Sequence, residues 1–488
     1  MAAIAVLDIG KTTLKLGIYA STGAKLASFE APNRPIPGVF YLEPDHRETW
    51  EFFLASLARS QASQPISDII VSTHGSSGYL VNEDGTWTPL PDYESAMPHA
   101  VQEAYIAESD GLEERGSGIS PGSGHLARQL FWVERITPNA LLKAIAILPA
   151  AQFWAWRLSG VMATELTALS AQTHLWNAHE DRFTSLVYRR GWQRLMPAVR
   201  HAGDVLGKIE ARLATLIGVG LDTRVHCGVH DSTANFFRYQ SSGYEDFTLL
   251  SSGTWLVSMS DMVPVLAQVR RDYTVHVSAS RTPFWSVRIM AGRDFDTLSH
   301  HARDCIDLDR VNGVLNSGVF ALPSFGPVEG FLKGSGGRGE MVGAPREGAI
   351  DRAALALVYY ALLADLSLDT YPDRGDIVVD GNITAQESLG SLIAAMREGR
   401  RVLFSSAKDG TLIGAAYLAG ARPSSPPLMH EHRHDGIDLR ALQSYRTAWR
   451  AQVLERYPDA TPFVTAKRLD GGDQCDEWLR LTSRQHEI

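Results

Sequence analysis

The sequence predicts an internally duplicated α/β protein of two lobes. Three apolar, strand-like runs occur once in each half, and in the same order. Ile4–Ile9 breaks into the polar turn Gly10-Lys11-Thr12-Thr13, and Phe247–Leu250 breaks into Ser251-Ser252-Gly253-Thr254. Asp68-Ile69-Ile70-Val71-Ser72-Thr73-His74 is answered by Asp376-Ile377-Val378-Val379-Asp380-Gly381. Arg224–Asp231 is answered by Arg401–Asp409, and each leads into a helix-like run, Ser232–Tyr239 and Gly410–Ala419. A single match carries little, because short apolar strands resemble one another by chance. The shared order carries the argument.

The elements follow in chain order. Strands are expected at 4–9, 14–20 and 25–31, then a turn-rich stretch from Pro32 to Pro44 and a helix near 46–62. The run 68–74 reads as a buried strand bounded by Gly75. An insertion at about 76–222 follows, with helix-like segments at 126–136, 139–159 and 184–196. The second half carries its extra residues at about 262–350, where the glycine-rich stretch Gly334–Gly339 predicts flexibility. Insertions on a duplicated scaffold commonly build specificity, lids or subunit contacts. Ser241-Ser242-Gly243 punctuates the chain, so the lobes are expected at 1–240 and 241–488. A Pro/Ser/His-rich link, Arg422–Gly436, opens a terminal segment with a helix over about 438–456.

Composition bounds the function classes. A chain of 488 residues exceeds one ordinary core, which favours two domains. Apolar residues at 44% and charged residues at 21% fit a soluble globular protein. A net charge of −9 leaves no basic footprint, which disfavours a nucleic-acid partner. Cys227, Cys305 and Cys475 are scattered and form neither a metal spacing nor a disulfide framework. A reducing cytoplasm fits that pattern, and Asp8 leaves no room for a secretory leader. No apolar run approaches the roughly 18 residues of a membrane span, so no membrane partner is expected.

The chemistry gathers at the two turns and one strand–helix junction. Backbone N–H groups of a tight turn bind phosphate cheaply, and glycine lets that backbone approach closely. Gly10, Thr12 and Thr13 supply such a turn in the first lobe, and Ser252, Gly253 and Thr254 in the second. Lys11 and Lys15 offer positive charge to phosphate oxygens, and Asp8 could hold Mg2+ directly or through water. The plainer alternative is a hairpin turn that uses Asp, Gly and Thr for conformational reasons. Asp231 ends a buried strand and starts a helix, where it can cap the helix and also aim a carboxylate into a site. Transfer of a phosphoryl group to an alcohol needs one such carboxylate to accept the hydroxyl proton. His74 and Gly75 end a strand, where α/β sheets commonly bind ligands. Asp92 and Tyr93 follow a turn and could bond sugar hydroxyls, against a solvated loop as the default. Trp154 and Trp156 read as core rather than a stacking platform, and His430, His432, His434 and Asp435 as solvated linker rather than a metal cluster.

With these residues placed, the chain resembles the FGGY family of carbohydrate kinases over nearly its whole length. Asp8-Ile9-Gly10-Lys11-Thr12-Thr13 with Lys15 resembles the family's first phosphate loop, and Leu250–Trp255 its second. Gly228-Val229-His230-Asp231 resembles the segment that bears the catalytic aspartate. Trp154–Gly160 with Thr164-Glu165, Gly337–Gly343 and Gly410–Ala416 resemble three further family segments. The resemblance implies two ribonuclease H-like (actin-like ATPase) lobes with a cleft between them, sugar on the first and nucleotide on the second. It implies ATP and Mg2+ as cofactors, Asp231 as general base, Asp8 and Asp231 toward the metal, and a homodimer. Gly10, Lys11, Thr12, Thr13, Lys15, Ser252, Gly253, Thr254, Gly381 and Asn382 would bind the nucleotide, and His74, Gly75, Asp92, Tyr93, His230 and Asp231 the sugar. The His230-Asp231-Ser232 context is most similar to the rhamnulokinase and fuculokinase branches, which tilts the expectation toward a deoxy-ketohexose. Asp380 stands where the family's adenine-binding turn usually has its first glycine, so a nucleotide- or sugar-responsive binding protein with weakened transfer is the alternative. A chaperone- or actin-like ATPase lacks a peptide-binding domain here.

Overall fold

The computed structural model describes residues 3–61, 64–120, 122–264, 273–302, 304–326, 330, 332–345, 348–423 and 427–458; Cys475 lies outside them. The chain divides into two compact units. The first comprises 1–244, 274–283 and 409–426, and the second the remainder.

The first unit is built on the strand Ala3–Ile9, whose side chains are buried on both faces apart from a partly open Asp8. That dictates an apolar run rather than an alternating one. It pairs antiparallel with Thr13–Ala20 and parallel with Ile66–Thr73. Across the sheet the order is Val205–Lys208, Arg224–His226, Ile66–Thr73, Ala3–Ile9, Thr13–Ala20, Lys25–Pro32. Val229–His230 continues beside Ser72 and Thr73. The helices His46–Gln61 and Ala150–Ser159 cover one face of this sheet. On the other face a second cluster joins Val6 and Ile70 to Ala234, Leu412 and Ala415, so Asp231–Gln240 and Gly410–Leu418 pack there together. Gly414 makes that approach possible: a Cβ at 414 would lie 1.8 Å from the Ala234 carbonyl oxygen. This contact sets Asp409–Pro426 in the first unit, although the sequence reading groups those residues with the second lobe.

The second unit repeats the plan. Phe247–Ser252 pairs antiparallel with Leu256–Ser260 and parallel with Asp376–Gly381. Its sheet runs Pro283–Ile289, Leu256–Ser260, Phe247–Ser252, Asp376–Gly381, Val402–Ser405, Met429–His432. The helix Arg352–Leu368 is buried along nearly its whole length. The helix Leu439–Arg456 is tied to it through Asp365, which accepts from Arg446 at 2.8 Å and from Arg450 at 2.5 Å, with Arg397 2.9 Å away. Burial would raise the Asp365 carboxyl, but the three guanidiniums outweigh it and hold the group ionised.

Several local expectations are corrected. The segment 139–159 is not one helix: Pro138–Lys143 and Ala150–Ser159 flank the strand Ala144–Pro149, which pairs with Gly78–Asn82. Isoleucines at 145 and 147 suit a strand, and Pro149 ends it. Over 184–196 the helix Ser185–Arg189 stops before Gly191, whose φ of 67° breaks it ahead of the short 3-10 turn Trp192–Leu195. The stretch Gly334–Gly339 is pinned rather than loose: Ser335 is buried, its hydroxyl is 2.9 Å from that of Ser324, and Gly339 N–H donates to the Ser324 carbonyl. His430 and His432 belong to a strand paired with Val402–Ser405, and the His432 ring packs 4.2 Å from Phe404. Trp154 is core as expected, stacked on Trp50 at 5.8 Å, and Trp156 packs at the edge of the same cluster. Among the described residues no helix is long and apolar enough to cross a membrane.

Candidate functional site

The first strand delivers Asp8 to the rim of the sheet, one residue from its end. The hairpin turn closes by Gly10 N–H on the Thr13 carbonyl at 3.1 Å, and Asn33 Nδ2 braces the Gly10 carbonyl at 2.7 Å. Thr12 is exposed at the tip, while Gly10, Lys11 and Thr13 are half-buried. Asp8 Oδ1 is buried with no hydrogen-bond partner among the described residues. Burial, and then the Asp231 charge, push the Asp8 carboxyl up to about 7, with the Ser72 hydroxyl and then Lys15 pulling the other way. A buried, poorly satisfied carboxyl oxygen beside a second carboxylate is what a divalent cation would satisfy.

Asp231 opens the helix Asp231–Gln240. Its Oδ1 accepts from Ser232 N–H at 2.5 Å and from Ser232 Oγ at 3.2 Å, and lies 3.2 Å from His230 Nε2. All of these contacts fall on one oxygen, which leaves Oδ2 without a hydrogen bond among the described residues. Burial lowers the His230 pKa, and His230 Nδ1 meets Thr233 Oγ1 at 3.0 Å. A neutral ring that accepts from Thr233 carries its proton on Nε2, the nitrogen nearer Asp231.

The remaining sugar-side candidates converge within the same unit. Gly75 keeps this corner tight, since a Cβ there would sit 3.0 Å from Ala171 and 3.2 Å from His230 Nε2. His74 meets the Tyr93 ring edge-on at 5.3 Å. Asp92 is buried, not solvated, and its Oδ1 pairs with Lys11 Nζ at 2.5 Å. Lys11 also lies over the Tyr93 ring at 4.4 Å. Lys11, expected at phosphate, thus contacts Asp92 and Tyr93, two of the residues expected to bind sugar. Lys11, His74 and Asp92 line one small cavity together with Asn33, Thr49 and Trp154.

Lys15 stays on the other side of the turn, 3.6 Å from Asp409 and 3.5 Å from Glu30. Asp409 also pairs with Lys25 at 2.7 Å, and its charge reaches Asp8. Sequence reasoning did not single out Asp409 or Lys25. The signal was present, because Asp409 stands in the repeat where Asp231 stands in the first half.

In the second unit, Gly253 N–H donates to the Trp255 carbonyl at 2.9 Å and shapes the turn. Gly253 and Thr254 are exposed, and a Cβ at 253 would meet nothing within 4 Å. The floor beneath is closed by Gly292, where a Cβ would lie 1.9 Å from the Gly253 carbonyl oxygen. Gly381 has φ of 98° and crowds the Ser252 carbonyl, which excludes any larger residue. Asp380 is buried, and its Oδ1 accepts Gly381 N–H at 2.6 Å. Asn382 is exposed at the start of the turn Asn382–Ala385.

Residues 3–237 match the N-terminal domain of the FGGY family of carbohydrate kinases, and 244–427 match the carbohydrate kinase FGGY C-terminal domain. The chain is 25% identical over 198 residues to the L-fuculokinase of Escherichia coli, across 40% of this chain and 41% of that protein. It is 27% identical over 278 residues to the L-fuculokinase of Haemophilus influenzae, across 53% and 58%. The chain therefore spans about half the length of the curated relatives it matches. A carbohydrate kinase structure from Novosphingobium aromaticivorans superposes with a TM-score of 0.80 at 28% identity, over 93% of this chain and 99% of that one. The fold is that of the actin-like ATPases. The doubled sheet, the strand-end acids and both matched domains make this chain a member of the FGGY family of carbohydrate kinases.

Proposed function

We propose that the protein transfers the γ-phosphoryl group of ATP to a hydroxyl of a ketose or polyol, with a deoxy-ketohexose such as L-fuculose or L-rhamnulose as the first class to test. The observation that carries this is the Asp231 carboxylate. One oxygen is fixed by Ser232 with His230 Nε2 3.2 Å away, the other carries no hydrogen bond among the described residues, and Asp8 lies close enough to be raised by its charge. A fixed carboxylate with one unengaged oxygen suits a general base.

The chain's own groups divide the work. Lys11, Asp92 and His74 hold and orient sugar hydroxyls, beside the close approach at Gly75. Asp231 Oδ2 accepts the proton of the attacking hydroxyl as its oxygen bonds to phosphorus. Backbone N–H groups of the 10–13 and 252–254 turns, with Thr12, Thr13, Thr254 and Lys15, hold phosphate oxygens, and Gly381 and Asn382 face the nucleoside. Asp8 and Asp231 fit Mg2+, which would supply charge neutralisation at the γ-phosphate when bound. Asp380 Oδ1 accepts the Gly381 N–H, an arrangement compatible with a base bound beside Gly381.

ADP release over a panel of ketoses, aldoses and polyols tests the reading. Sugar-stimulated turnover supports it. Thermal shifts with sugar but no ADP would establish a sensor instead, and sugar-independent hydrolysis an ATPase.

A further inference from the structure

Glu165 is a fully buried carboxylate at the start of the helix Leu166–Ser170, and capping explains only part of its bonding. Oε1 accepts Thr167 N–H at 2.9 Å, and Oε2 accepts Ala168 N–H at 3.0 Å. Those two bonds are a helix cap. A third is not: the Thr167 hydroxyl donates to Glu165 Oε2 at 2.6 Å and accepts His230 N–H at 3.0 Å. A hydroxyl has a single proton. Once it is donated to a carboxylate, only lone pairs remain for the His230 N–H.

That N–H belongs to the residue before Asp231. His230 is the N-cap of the helix Asp231–Gln240 and makes no side-chain capping bond of its own. Beyond its sheet pairing with Thr73, the chain at the junction is held through the His230 N–H by Thr167. Thr167 is 0% and Glu165 2% exposed, so water does not compete for these bonds. The same short helix ends at Ala171, which closes on Gly75. One element braces the backbone on both sides of the site.

We propose that Glu165 and Thr167 are positioning residues for Asp231, fixing its carboxylate through the His230 peptide. The inference rests on the kinase reading for its activity readout. A misplacement of a reacting group by about 1 Å can cost on the order of 100-fold in rate, and loss of one anchor should cost part of that. Burial pushes Glu165 up to about 7 against the pull of Thr167 and its backbone donors, so assays at pH 8 keep it ionised.

The test compares Thr167→Val, which keeps the shape and removes the hydroxyl, with Thr167→Ser, which keeps the hydroxyl. Thr167→Val is expected to lower kcat roughly tenfold with sugar KM within about twofold, and Thr167→Ser to stay within about twofold of the parent. In protein labelled with nitrogen-15 at histidine, the His230 amide proton should move upfield in Thr167→Val but not in Thr167→Ser. Parental kcat in Thr167→Val, equal damage in Thr167→Ser, or an unmoved His230 amide would overturn the proposal. If Thr167→Val does not fold, Glu165→Gln carries the same comparison of kcat against KM. Absence of sugar-dependent ADP release in the parent would instead refute the kinase reading, while the amide shift still decides the anchor.

Discussion

Lys11 sits between two acids and an aromatic face. Its Nζ is 2.5 Å from Asp92 and 3.5 Å from Glu94, and 4.4 Å from the centre of the Tyr93 ring. A cation already compensated in this way makes a poor anchor for a triphosphate but a good donor to a neutral hydroxyl. Lys11→Met is therefore expected to raise the sugar KM by roughly tenfold, since a lost charged hydrogen bond costs about 1.5–3 kcal/mol, with ATP KM within about twofold. Initial-rate kinetics with each substrate varied in turn decide it; the reverse pattern would return Lys11 to phosphate. Spacing alone could not make this assignment, because a lysine in a turn beside two threonines reads as a phosphate ligand until its long-range partner is known. Asp8 and Asp231 were legible because each ends a buried strand. The burial of Asp92 was not, since it depends on Leu42 and Ser123 bonding its backbone across 50 and 31 residues.

At the scale of elements, the contact between Asp231–Gln240 and Gly410–Leu418 links site geometry to packing. A Cβ at Gly414 would meet a backbone carbonyl, which cannot rotate away. Gly414→Ala should force the helices apart at a cost of about 1–3 kcal/mol, and lower kcat because Asp231 rides on one of them. A fall in Tm together with kcat is the expected result, and parental values for both would contradict it. Periodicity found these helices almost to the residue, as it did Leu126–Ile136 and Leu439–Arg456. It failed over 139–159, where the apolar residues satisfy helix and strand templates alike and pairing with Gly78–Asn82 decides. It failed again at Met429–His432, whose histidines and charges read as linker because an edge strand needs little apolar side chain.

Over the whole molecule the duplication is more complete than three strand matches suggest. Each strand of the first sheet order has a counterpart in the second, from Lys25–Pro32 against Pro283–Ile289 to Val205–Lys208 against Met429–His432. That last pair could not be read from order along the chain: Val205–Lys208 precedes its partner strand and Met429–His432 follows its own. Both are antiparallel edges on otherwise parallel neighbours. The repeat also explains why acids recur at strand–helix junctions, with Asp409 as the counterpart of Asp231. The two acids are unequal in setting. Asp409 is neutralised by Lys25 and Lys15, whereas the Asp231 charge acts on Asp8 and one Asp231 oxygen has no hydrogen bond among the described residues. Under the proposed function, proton transfer therefore falls to Asp231. The direct test is Asp231→Asn, assayed for sugar-dependent ADP release and, by calorimetry, for sugar binding. Turnover is expected to fall by 100-fold or more, on the order of what a positioned general base contributes. Sugar affinity should stay within several-fold of the parent. Near-parental turnover in this variant, with sugar still bound, would contradict the assignment.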